Sequence, residues 1–149
     1  MMIENVKKLI IKYREILLYL IFGGLTTLLN WSTYGVLEKF AGLGMNTSNV
    51  IAWVAGVLFA YFTNRKWVFE SKVTDPAGFA KEFALFVGAR AFSGAVEIIG
   101  LPLLVSAGLN QSLFGVDGFI AKMVISVVVV ILNYIFSKVI IFRKKSKGN

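Results

Sequence analysis

Cysteine and histidine are both missing from the 149 residues, and proline occurs only twice. Without cysteine there is no disulfide and no thiolate chemistry. Without histidine there is no imidazole for acid-base work, for haem or for most zinc sites. Acidic residues are also scarce, eight against 16 Lys and Arg, and they are scattered along the chain. No loop carries the paired carboxylates that hold a metal or a nucleotide sugar, so a glycosyltransferase active site is not expected. No GxxxxGK[ST] run occurs to cradle the phosphates of ATP. The chain is therefore expected to be no enzyme and to need no cofactor.

Apolar residues are abundant instead, 57% of the chain, with a mean hydropathy of +0.74. A soluble domain of this size cannot cover so much apolar surface, so the class is integral membrane protein. The net charge of +8 does not point to nucleic acid, because the basic residues cluster beside the hydrophobic runs. The start, MMIENVKKLIIKYR, does not read as a cleavable signal: the apolar segment after it is too long and lacks a small-x-small exit. Residues 1–14 read either as a short amphipathic helix lying on an anionic leaflet or as a solvated start to the first span.

Four apolar segments, at about 16–38, 47–69, 83–105 and 119–142, each have the roughly 20-residue length that crosses about 30 Å of hydrocarbon. They predict an all-α bundle of four transmembrane helices in one membrane domain covering 1–149. In the first, Gly23-Gly24 and Thr26-Thr27 are expected to admit a close neighbour, and Ala52, Gly56 and Ala60 make a small-xxx-small face on the second. Thr47 or Ser48 is expected to cap the second helix. The stretch 70–82 reads as a polar loop, 106–118 as a second loop, and RKKSKGN as a disordered basic tail. Pro102 is expected to bend or fray the end of the third helix. Thirteen of the 16 Lys and Arg lie at the N-terminus, around the 70–82 loop or from Lys138 onward. By the positive-inside rule both termini and the middle loop are cytoplasmic.

The third segment, FALFVGARAFSGAVEIIGLPLLV, carries charges where hydrocarbon is expected. Arg90 and Glu97 are seven residues apart, nearly two helical turns, so they share a face with Ser93 and Gly94 between them. A charge at such depth costs about 2.5–3.5 kcal/mol on insertion scales and usually faces a bundle interior or a wet cavity. At 1.5 Å per residue Arg90 lies about 10 Å from the cytoplasmic end, Asn133 about 13 Å, and Asn30 and Glu97 about 21 Å. Tyr61, Asn64, Tyr134 and Lys138 lie within a few ångströms of the Arg90 level or nearer the cytoplasm, and Arg65 and Lys66 can snorkel to the interface. A guanidinium fork matches two phosphate oxygens, and amides and phenols suit sugar hydroxyls. Each has a plainer use: Arg90 and Glu97 as a structural ion pair, Lys122 and Lys138 as snorkelling cations, Asn30 and Asn133 as interhelical glue.

The ends of helices 2 and 4 also echo one another. LFAYFTNRKWVFESK aligns with ILNYIFSKVIIFRKK, placing Tyr61 on Tyr134, Arg65 on Lys138 and Phe69 on Phe142. Asn30 falls on Glu97 and Thr26 on Ser93, which reads as a parallel repeat of two helical hairpins. Ala60 stands opposite Asn133, and Asn64 opposite Ser137.

Together, FGGLTTLLN, NRKWVF, the Arg90-to-Glu97 spacing and the Asn133, Tyr134, Ser137, Lys138, Ile141, Phe142 pattern resemble the GtrA family of small bacterial membrane proteins, over about residues 16–145. The resemblance implies transfer of a polyprenyl-phosphate-linked sugar, typically undecaprenyl phosphate-glucose, from the inner to the outer leaflet for cell-surface glycosylation. In that setting Arg90 would grip the phosphate with Lys138 or Lys66. Asn133, Tyr134, Tyr61 and Asn64 would touch the sugar, and Glu97 and Asn30 would line the path outward. The expected partners are the lipid itself, the membrane, further copies of the chain and glycosyltransferases. Two alternatives stay open: a small proton-coupled exporter working through Glu97, and a non-transporting scaffold for a membrane glycosyltransferase.

Overall fold

The computed structural model describes residues 1–113 and 118–143. Those residues fold as four helices and no strands, an all-α membrane protein. The first helix, α1, runs unbroken over Met2–Lys39, so residues 1–14 are its opening turns and not a separate surface helix. α2 covers Met45–Thr63 and passes directly into a five-residue π turn, Asn64–Val68. α3 covers Pro76–Ser106. α4 covers Phe119–Phe136 and likewise passes into a π turn, Ser137–Ile141. α1, α3 and α4 with its π turn are each long and apolar enough to cross a membrane. In none of those three is more than 22% of the most apolar stretch buried. Side chains such as Trp31, Ile98 and Val127 therefore stand exposed, as lipid-facing residues do, since between helices and lipid tails there is no hydrophobic contrast.

The chain divides into two compact units, Met1–Lys72 and the part from Val73 onward. Each is a helical hairpin, and their internal details match. In the first, Tyr19 packs on Phe69, ring centroids 6.4 Å apart and tilted 58°. In the second, Phe86 packs on Phe142 at 6.3 Å and 54°. The Phe69 N–H donates to the Asn64 carbonyl at 2.9 Å, and the Phe142 N–H to the Ser137 carbonyl at 2.8 Å. Both are the i→i+5 bonds of a π turn, at the positions that the sequence echo aligns. Single π turns are rare in helices and occur often at functional sites.

Several expectations are corrected. α3 begins seven residues earlier than the apolar pattern implied, because Asp75 caps it. The Gly78 N–H donates to Asp75 Oδ2 at 2.7 Å, and Pro76 takes the first helical position, where its missing N–H costs nothing. The middle loop is correspondingly short, and Glu82 lies buried inside α3 at 5% exposure. α2 starts after Gly44 without a side-chain cap; the Ser48 hydroxyl donates to the Leu43 carbonyl instead. A Cβ on Gly23 or Gly24 meets no described atom of the first hairpin within 4 Å, so the neighbour expected there is not α2. α3 does not fray at Pro102 but runs on to Ser106, the proline removing a single backbone bond near the helix end. The expectations for residues 114–117 of the second loop and 144–149 of the tail lie outside the described residues.

The small-residue face of α2 does what its spacing suggested. Ala52, Gly56 and Ala60 are all buried, and a Cβ on Gly56 would sit 3.6 Å from Thr26 Cγ2 and 3.7 Å from Asn30 Cβ on α1. That is ordinary contact, so Gly56→Ala should be tolerated. Gly56→Leu would drive three further carbons into α1 and should cost about 1–3 kcal/mol, the usual range for overpacking. Thermal unfolding of the two variants in detergent checks this; equal melting temperatures would show that the face is loosely packed.

Candidate functional site

In the second hairpin, α3 and α4 bring two of the residues singled out by sequence, Arg90 through its carbonyl and Asn133, to the hydroxyl of a third, Ser93. Ser93, 2% exposed, donates from Oγ to Asn133 Oδ1 at 2.8 Å, with Oγ also 3.1 Å from the Arg90 carbonyl. α3 supplies Arg90 and Ser93 one turn apart on one face. α4 supplies Asn133, itself 7% exposed. The Arg90 side chain lies over the Phe86 ring, its guanidinium carbon 4.7 Å from the centroid. Phe86 is 1% exposed and held by Phe142, so the guanidinium rests on a fixed aromatic base. In the π turn that follows α4, Lys138 donates from Nζ to the Tyr134 hydroxyl at 3.3 Å.

Glu97 is elsewhere. Its carboxylate is bonded to Lys122 Nζ at the start of α4, about two turns further along α3 from Arg90. The structural pair weighed for Arg90 and Glu97 is thus not formed; the pair is Glu97 with Lys122. Among the described residues no carboxylate pairs with Arg90. Gly100 allows the close approach behind this pair, since a Cβ there would lie 2.6 Å from Ile125 Cδ1.

In the first hairpin, Tyr61 is fully buried and Asn64 is 3% exposed where α2 turns into its π turn. Asn64 Oδ1 is, among the described residues, a buried side-chain acceptor without a hydrogen-bond partner. Such groups are uncommon and ask for a reason. Lys66 is exposed, its Nζ 4.9 Å from the Trp67 ring centroid, and Trp67 stacks on Phe22 at 5.6 Å and 16°. Asn30 lies on α1 against Gly56, one turn beyond Thr26.

Sequence reasoning therefore found the residues of both hairpins but not all their partners. Ser93 was visible only as a small residue between two charges, and its role as the link to Asn133 depends on helix register. Lys122 was visible as a cation at the far end of α4, but its carboxylate partner was not. Glu82 was hidden by the mistaken loop.

The transmembrane-domain model of the GtrA/DPMS family matches residues 18–142. A cell wall teichoic acid glycosylation protein, GtcA, of Listeria innocua is 42% identical over 129 residues, 87% of this chain and 85% of its own length. An uncharacterized membrane protein of Bacillus subtilis, YwcD, is 31% identical over 88% of this chain and 99% of its own. A bactoprenol-linked glucose translocase of Shigella phage SfV is 26% identical over 91% and 96% respectively. No solved structure matches. With most of its length matched by that model and by such relatives, the chain belongs to the GtrA/DPMS transmembrane-domain family.

Proposed function

We propose that this protein moves a polyprenyl-phosphate-linked sugar from the inner to the outer leaflet of the cytoplasmic membrane, where it serves to glycosylate a surface polymer. The observation that carries the reading is Arg90: a guanidinium inside an apolar helix, seated on Phe86 and without a carboxylate partner among the described residues. A cation kept at that depth uncompensated is suited to an anion that arrives from outside the fold, and its planar fork matches phosphate. The names of the relatives, a teichoic acid glycosylation protein and a bactoprenol-linked glucose translocase, support the same substrate class.

In this reading Arg90 takes the phosphate, aided by Lys138 or Lys66. Asn133 and Tyr134 in one hairpin, and Tyr61 and Asn64 in the other, supply amide and phenol groups for sugar hydroxyls. Asn64 Oδ1, which lacks a partner, gains one when a hydroxyl arrives. Glu97 and Asn30 line the outward path while the prenyl tail stays in lipid. The protein does not catalyse a bond change; a glycosyltransferase acting outside uses the delivered donor. The four helices act as one membrane domain, in a homo-oligomer. Engagement of Glu97 by Lys122 favours this over a proton-coupled exporter, which needs that carboxylate free.

The test in cells is direct. Cells lacking this chain should still build the lipid-linked sugar but lose the sugar from the surface polymer. Unchanged surface glycosylation would sink the proposal. The orientation goes with it: both termini and the short loop before Asp75 face the cytoplasm, and 106–118 faces out. Because the native chain has no cysteine, Ser112→Cys should react with an impermeant thiol reagent from outside only. Reaction solely from inside would reverse the topology.

A further inference from the structure

Beside the first π turn lies a cavity of about 380 Å³ whose wall carries Arg65, Lys66 and Lys72, with Trp67 and Phe62 as its apolar side. Ligand pockets begin at about 300 Å³, so this one has room for a phosphorylated hexose. The carboxylate in its wall, Glu70, is paired with Arg14 on α1 at 2.9 Å. Glu70 also has φ +48°, a left-handed conformation that is uncommon outside glycine. The chain can turn back there, and the Ser71 N–H donates to the Arg65 carbonyl at 2.8 Å. Conformations of that kind cost about 1–3 kcal/mol and persist where the surroundings enforce them, often at ligand sites. Trp67 is pinned by its stack on Phe22 yet remains 44% exposed.

Positive charge at this end of α2 is what membrane topology asks for. Topology does not ask for a concave wall, a clasped carboxylate, a left-handed Glu or a fixed indole at its edge. The second hairpin lacks the clasp, since the positions matching Arg14 and Glu70 hold Lys81 and Arg143.

We propose that this groove, built wholly from residues of the first hairpin, is a docking site for a phosphate-linked sugar headgroup. Lys66 and Lys72 take the phosphate oxygens as point charges. The indole of Trp67 takes the apolar face of the sugar ring. The groove rests on the reading that the substrate is a lipid-linked sugar phosphate, and it adds a first station for that headgroup.

Trp67 supplies the measurement. Trp31→Phe with Trp53→Phe leaves it as the sole tryptophan, and the full-length protein is placed in bilayers of neutral phosphatidylcholine. A short-chain prenyl-phosphate sugar should change Trp67 emission saturably. Lys66→Gln and Lys72→Gln, both on exposed side chains, should each weaken that binding about tenfold, the loss expected for one charge-assisted contact. Equal binding of phosphatidylglycerol or of inorganic phosphate would overturn the proposal, because the groove would then be a general anion surface. So would binding that survives both substitutions. A silent Trp67 in protein that still translocates the sugar lipid would remove the groove and leave the function standing. Silence together with absent translocation would remove both.

Discussion

Arg90→Ala is expected to abolish translocation while leaving the fold intact. The structure separates those two outcomes, because the Arg90 guanidinium rests on Phe86 and the nearby carboxylate of Glu97 belongs to Lys122. Removing Arg90 therefore strands no charge; it takes away only a side chain lying on an aromatic ring. What is lost is the fork for phosphate. A hydrogen bond to a charged group is worth about 1.5–3 kcal/mol, so losing even one weakens binding about tenfold to a hundredfold, and losing the fork removes two. Arg90→Lys keeps the charge but not the planar pair of donors, and should fall between. Melting temperature and headgroup affinity, measured on the same preparations, check this. An Arg90→Ala protein that melts far below wild type would show that the guanidinium holds the helix in place instead.

The second large effect is expected at Glu97 and Lys122, and it should be asymmetric. Lys122 is near the start of α4, where a long side chain can reach the interface by itself. Glu97 lies deeper along α3, and without Lys122 its carboxylate faces hydrocarbon. Lys122→Met should therefore destabilise the protein by about 2–3 kcal/mol, the scale of an uncompensated charge within the membrane, whereas Glu97→Gln should cost less. Combining them removes the stranded charge, and most of the stability should return. Translocation should not return with it, because Glu97 is assigned to the outward path. If the double variant is both stable and fully active, the pair is only a clamp between α3 and α4.

These expectations also show where the sequence was readable. The two-hairpin repeat could be seen in Tyr61 with Tyr134 and Phe69 with Phe142, because bulky aromatics at matched positions are rare enough to align. In the fold, those phenylalanines pack on Tyr19 and Phe86, the equivalent residues of α1 and α3. The π turns were not readable. An i→i+5 bond needs no particular side chain, so Asn64–Val68 and Ser137–Ile141 look like ordinary helix ends. The Asp75-Pro76 cap was in plain view and was outweighed by the polar run after it, whose charged members α3 carries on its first two turns. At the site, intramembrane polarity pointed to Arg90, Asn133 and Glu97 one by one. Their partners Phe86, Ser93 and Lys122 come from how α3 and α4 register against each other and themselves, which hydropathy does not encode.

The central claim is that the chain itself carries the sugar lipid across. Purified protein reconstituted in liposomes, with a short-chain prenyl-phosphate sugar supplied on one side, measures this with no other component present. The account predicts transfer of the sugar lipid to the opposite leaflet at a rate well above protein-free liposomes, abolished by Arg90→Ala and requiring no nucleotide. Folded protein that leaves the sugar lipid on its original side, and moves it only when a glycosyltransferase is added, would contradict the claim and leave the chain a scaffold.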